Sequence, residues 1–79
     1  MQVEGHMPIT KFVVGEQAEV RCEHIADGKR VHGWLRGTVV QADYRMAAVR
    51  FDTDVFTSDG HLVPDRILWC AHGSQNIRR

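Results

Sequence analysis

"WLRGTVVQADYRMAAVRFD", Trp34 to Asp52, decides the fold. Two runs rich in β-forming residues flank a very short connection, so they predict a β-hairpin. A turn centred on Asp43, Tyr44 and Arg45 makes paired residue numbers sum to 88. Leu35, Val39, Val49 and Phe51 then share the core face. Val39 falls opposite Val49, and Gly37 opposite Phe51, whose ring can cover the bare glycine. On the other face Arg36 opposes Asp52 and Thr38 opposes Arg50. Val40, Ala42, Met46 and Ala48 also fall on that outward face, so the hairpin tip is apolar on both sides. An uncovered apolar sheet face is expected to serve self-association or docking.

Upstream, "VGEQAEVRCEH" alternates, with Ala18, Val20 and Cys22 on one side, and reads as a half-buried strand. "IADGKRVHG" carries Asp27-Gly28 and reads as an exposed turn or longer loop. Downstream, "TDVFTSDGHLVPDRIL" is a polar loop, then a short strand His61 to Val63, then a 3₁₀ or α turn opened by Pro64. The final strand falls either at Trp69 to His72 or at Gln75 to Arg78. Trp69 and Phe51 are expected in the core. The prediction is an all-β domain of five short strands over residues 13–79, after a flexible segment 1–12. "MQVEGHM" contains a Gly-His-Met step of the sort cloning junctions leave and is set aside.

Seventy-nine residues make one small domain with a thin core, for which oligomerisation is an expected route to added stability. Ten basic and ten acidic residues balance, which excludes a general polyanion-coating role and leaves nucleic acid only a local cluster. Two cysteines and no signal-like start imply reduced thiols and a cytoplasmic setting. No apolar run is long enough to span a bilayer, so no membrane partner is expected.

"VGEQAEVR", "GWLRGTVVQAD", "AAVRFD" and "VPDRIL" together resemble the Tudor and agenet group of SH3-like barrels across residues 14–69. The resemblance implies a five-stranded barrel with a 3₁₀ or helical turn before the last strand. It also implies a non-catalytic interaction module for a protein segment or nucleic acid, bound at the barrel mouth. Trp34, Phe51 and Phe56 lie near the positions whose rings cage a cationic side chain in Tudor domains, with Asp54 as the acidic neighbour, and Tyr44 in the hairpin turn is a further ligand-binding candidate. The chain departs from that group in its longer "TDVFTSDG" loop and in lacking an aromatic-glycine-asparagine step.

Cys22, His24, Cys70 and His72 form two Cys-x-His pairs able in principle to supply a tetrahedral metal set. The spacing is not that of zinc knuckles, so core thiols and no metal are expected. "FDTDVFTSDGH" lacks the glycine and glutamate an EF-hand loop needs at Thr57 and Val63. No nucleophile or phosphate-binding glycine motif is present, and no cofactor is expected. If the first loop and the C-terminus meet, Lys29, Arg30, Arg78 and Arg79 make a basic rim for phosphates. Two rival readings are an oligomeric enzyme of the type II dihydrofolate reductase kind and a small structural subunit docking into a larger complex. Against the first, Val40-Gln41-Ala42-Asp43 stands where those enzymes carry Val-Gln-Ile-Tyr.

Overall fold

The computed structural model describes residues 11–79, and the tag-like reading of residues 1–7 lies outside them. Six strands follow one another: β1 Gln17–Ala26, β2 Lys29–Ala42, β3 Met46–Arg50, β4 Val55–Phe56, β5 Ile67–Ala71 and β6 Ile77–Arg78. They form a nearly closed antiparallel barrel in the order β4-β1-β2-β3-β5, with β6 also pairing β1. A 3₁₀ turn, Pro64–Arg66, precedes β5. Among the described residues no helix is long and apolar enough to cross a membrane.

β1 and β2 turn back through Asp27 and Gly28 alone, both at positive φ (52° and 77°), as a two-residue turn matched to strand twist requires. The longer-loop option for this segment is therefore excluded. The ladder runs unbroken from Gln17↔Thr38 to Ala26↔Lys29. Trp34 consequently lies in the middle of β2, opposite Arg21, and not at the entrance to a strand. The sequence hides this extension because Lys29 to His32 are exposed and polar patterning there mimics a loop.

The β2–β3 register is as expected at Thr38↔Arg50 and Val39↔Val49, then slips by one at a bulge before Gln41↔Ala48 and Ala42↔Ala47. The cause lies in the turn. Asp43 Oδ1 accepts from the amides of Arg45 and Met46, both at 2.8 Å, and the Asp43 amide donates to the Met46 carbonyl at 2.9 Å. This closes a tight turn over Tyr44 and Arg45 and leaves an extra residue, which the bulge absorbs. Gln41 thus moves outward and Ala42 moves inward against the core.

The core gathers Phe12, Ala18, Val20, Cys22, Val39, Ala47, Val49, Phe51, Val55, Val63 and Ile77. Phe12 belongs to it, so the folded domain starts before residue 13. The Phe12 amide donates to His72 Nδ1 at 3.1 Å, its ring stacks on the imidazole, and the Arg79 guanidinium covers it at 4.4 Å. Both tail options for the final strand are realised, as β5 and β6. His61 to Val63 is no strand and contributes only a Leu62↔Phe56 bridge. Trp69 is 48% exposed, which corrects its core placement: it pairs with Ala48 on the outward parity of β3.

Candidate interaction site

The barrel is open along one seam. Among the described residues β5 pairs with β3 only, whereas β4 and β6 both pair with the far edge of β1, at Glu23–His24 and Glu19–Val20. Between these walls runs a groove of about 500 Å³. Leu68 and Cys70 of β5 and Val20 and Cys22 of β1 form its floor, with Phe56, Trp69, Ser74 and Asn76 on the rim. Burial pushes the Cys22 thiol up to about 11, aided by the nearby Cys70, whose own thiol burial also pushes up. Both thiols stay protonated near neutrality, so the floor is uncharged and weakly nucleophilic.

The backbone along the β5 edge follows from the ladder. The Phe51 amide donates to Arg66 O and the His72 amide to Arg45 O, which bracket the β3–β5 register. Antiparallel hydrogen-bonded pairs alternate, so Leu68 and Cys70 bond to β3 while Ile67, Trp69 and Ala71 turn their amides and carbonyls to the seam. The Ile67 amide is used by Pro64 O, and the Ala71 carbonyl by the Ser74 amide. Ile67 C=O, Trp69 N–H, Trp69 C=O and Ala71 N–H have no partner among the described residues.

The Tudor-like cage does not assemble. Phe51 is 3% exposed and lies against Gly37 in the core, out of reach of a ligand. Trp34 and Phe56 share the outer face, across β1 from one another, and each ring already carries an internal cation: Arg78 on Trp34 and Arg30 on Phe56, both at 3.8 Å. Asp54 is held by Arg66 Nε at 3.1 Å. Tyr44 is exposed in the β2–β3 turn beside Lys11.

The basic rim does not form either. Lys29 and Arg30 belong to the β1–β2 tip, whereas Arg78 pairs across from Glu19, seven residues from the tip residue Ala26 or about 23 Å along the strand. Arg30, Arg78 and Arg79 are committed to Glu23, Glu19 and Glu16. Desolvation disfavours the Glu16 carboxylate, but the Val13 amide and Arg79 outweigh it and hold its pKa below the ordinary range. Arg36 reaches Glu19 at 4.0 Å, not Asp52.

The outward tip patch is largely closed by the fold itself. Ala48 is 1% exposed and Ala42 faces the core, while Val40 and Met46 are half-buried. Val40 and Ala48 line a second hollow with Trp69 and Pro64. The Cys-His pairs do not converge as a ligand set: His72 Nδ1 accepts from Phe12 and its Nε2–H donates to Asp43 C=O at 2.7 Å, so both nitrogens are used. His24 is buried and its Nδ1–H donates to Cys22 C=O at 3.0 Å. No group of three or more metal-binding side chains gathers among the described residues.

The open edge of β5 was the feature missed from sequence. "ILWCA" carries the only available signal, a short strand free of charge or proline. Neither a family model, nor a curated protein, nor a solved structure matches the chain.

Proposed function

We propose that the chain is an SH3-like barrel of the cytoplasm that binds an extended segment of a partner protein along the open edge of β5. The observation that carries this reading is the set Ile67 C=O, Trp69 N–H, Trp69 C=O and Ala71 N–H, unpaired among the described residues and bordering a groove floored by Leu68, Cys70, Val20 and Cys22. A segment laid antiparallel or parallel to β5 gains main-chain hydrogen bonds from the edge, and its alternate side chains enter the groove over Leu68, Cys70 and Cys22. Affinity comes from the backbone and selectivity from the groove, which favours apolar residues at every second position of the segment. The protonated thiols offer the segment neither charge nor a nucleophile, which fits holding and not turnover.

The test is panning of a displayed library of random extended peptides against the purified barrel. Selected sequences are expected to carry alternating apolar residues and to quench or shift the half-exposed Trp69. Trp69→Pro removes the edge donor while leaving the β3 ladder intact, and is expected to abolish binding. Arg78→Ala, at the outer-face Trp34, is expected to leave it unchanged. Binding that survives Trp69→Pro, or binding of a short oligonucleotide that weakens steeply with salt where no peptide binds, overturns the proposal.

A further inference from the structure

The free edge of β5 has a symmetry of its own. Its available groups run Ile67 C=O, Trp69 N–H, Trp69 C=O, Ala71 N–H, while the outermost Ile67 amide and Ala71 carbonyl are consumed locally by Pro64 and Ser74. Turned about a twofold axis at Trp69, this set complements itself. Trp69 N–H meets Trp69 C=O of the other copy twice over, and Ala71 N–H meets Ile67 C=O twice over, leaving no edge group unused. The Ile67 amide and Ala71 carbonyl would face one another in this register, so their local use by Pro64 and Ser74 removes a bond at each end but strands no group. We infer that, when no segment is bound, the protein pairs with a second copy of itself through antiparallel β5 edges in this register.

Side chains agree with the backbone. β5 is Ile67-Leu68-Trp69-Cys70-Ala71, without the lysine, glutamate or proline by which exposed edges resist pairing. Its outward row, Ile67, Trp69 and Ala71, would meet the same row of the other copy, bringing the two exposed indoles side by side. On the groove side Leu68 of one copy falls opposite Cys70 of the other. The contact is isologous, so it stops at two copies. It is also small, with one short strand from each side, and therefore reversible and concentration-dependent.

The inference rests on the same open edge as the segment-binding proposal and names its occupant in the absence of a segment. Self-pairing and segment binding exclude each other, so self-association masks the site. The test uses the purified chain alone, by light scattering and sedimentation over a range of concentrations. The mass is expected to rise from 9.0 kDa toward twice that value. Trp69→Pro and Trp69→Lys, with folding verified by circular dichroism, are both expected to stay monomeric. In a mixed-label sample, isotope-filtered spectra are expected to show Leu68 Hα of one copy against Cys70 Hα of the other, the close contact of a non-hydrogen-bonded pair. A chain that stays monomeric at every concentration overturns the inference, as does a dimer that survives both variants or shows its filtered contacts elsewhere. Since no peptide is present, those results leave the segment-binding proposal standing, which fails only on its own panning test.

Discussion

Replacing Gly37 with alanine isolates the packing that holds β2 to β3. A Cβ at this position would come 2.6 Å from Arg50 O, 2.7 Å from Phe51 Cδ1 and 2.7 Å from Val49 Cγ1. Gly37 is not in the left-handed region, so the cost is steric: one neighbour is backbone and the others are core side chains at 3% and 0% exposure with nowhere to move. Overpacking of this kind costs about 1–3 kcal/mol. A domain of this size has roughly 4–12 kcal/mol of stability in all, and each kcal/mol shifts its Tm by about 4–8 °C. Gly37→Ala is therefore expected to lower the Tm by about 5–20 °C. Gly33, four residues earlier in the same strand, has no atom within 4 Å of its Cβ position. Gly33→Ala is expected to hold the Tm or raise stability by up to about 1 kcal/mol, through lost freedom of the unfolded chain. Thermal melts by circular dichroism, supported by urea titration, compare the two. If Gly37→Ala melts with the wild type, the close approach of Phe51 to Gly37 is wrong.

Three further outcomes follow from the same geometry. His72→Phe keeps the stacking on Phe12 but strands the Phe12 amide and the Asp43 carbonyl; a loss of about 1–3 kcal/mol in urea titration is expected, and an unchanged midpoint counts against the His72 bridge. The Cys22 thiol is raised in the fold, so its contribution to stability is complete below its ordinary value of 9.0 and is lost as pH rises toward about 11. A fall on the order of 2 kcal/mol across that window is expected from Cys22 in the wild type, and Cys22→Ala should show a smaller fall, the remainder coming from Cys70, whose thiol burial also raises; an equal fall in both assigns the effect to other groups. Arg78→Ala uncovers the Trp34 ring and loses the Glu19 pair, so Trp34 emission should move to longer wavelength, with a stability cost of only about 0–1 kcal/mol because the pair is largely exposed; an unmoved spectrum contradicts the stacked geometry.

The barrel was legible because its main signals are local. Alternation at Ala18, Val20 and Cys22 and the Val39↔Val49 register each depend on a few neighbouring residues, whereas Asp27-Gly28 marked a turn without showing that the strands resume directly on either side of it. What escaped depends on geometry that periodicity does not carry. The Asp43 side chain tightens the β2–β3 turn, and the resulting bulge reverses the sides of Gln41 and Ala42. Trp69 reads as core by its size, yet its outward placement is set by pairing with Ala48. The aromatic cage failed because arginines distant in sequence, Arg78 and Arg30, reach the Trp34 and Phe56 rings first. Beyond the charge-free "ILWCA", nothing in the sequence marks the open seam: it arises because β4 and β6 both pair with β1, which only the folded topology decides.

Amide hydrogen exchange at β5, measured at low protein concentration with and without a selected peptide, tests the central claim most directly. In the free protein the Leu68 and Cys70 amides are expected to exchange slowly, protected by β3, and the Trp69 and Ala71 amides to exchange fast. Peptide is expected to slow Trp69 and Ala71 specifically. A Trp69 amide already slow in the dilute free protein, or a bound peptide that protects other strands and leaves Trp69 fast, would contradict the account.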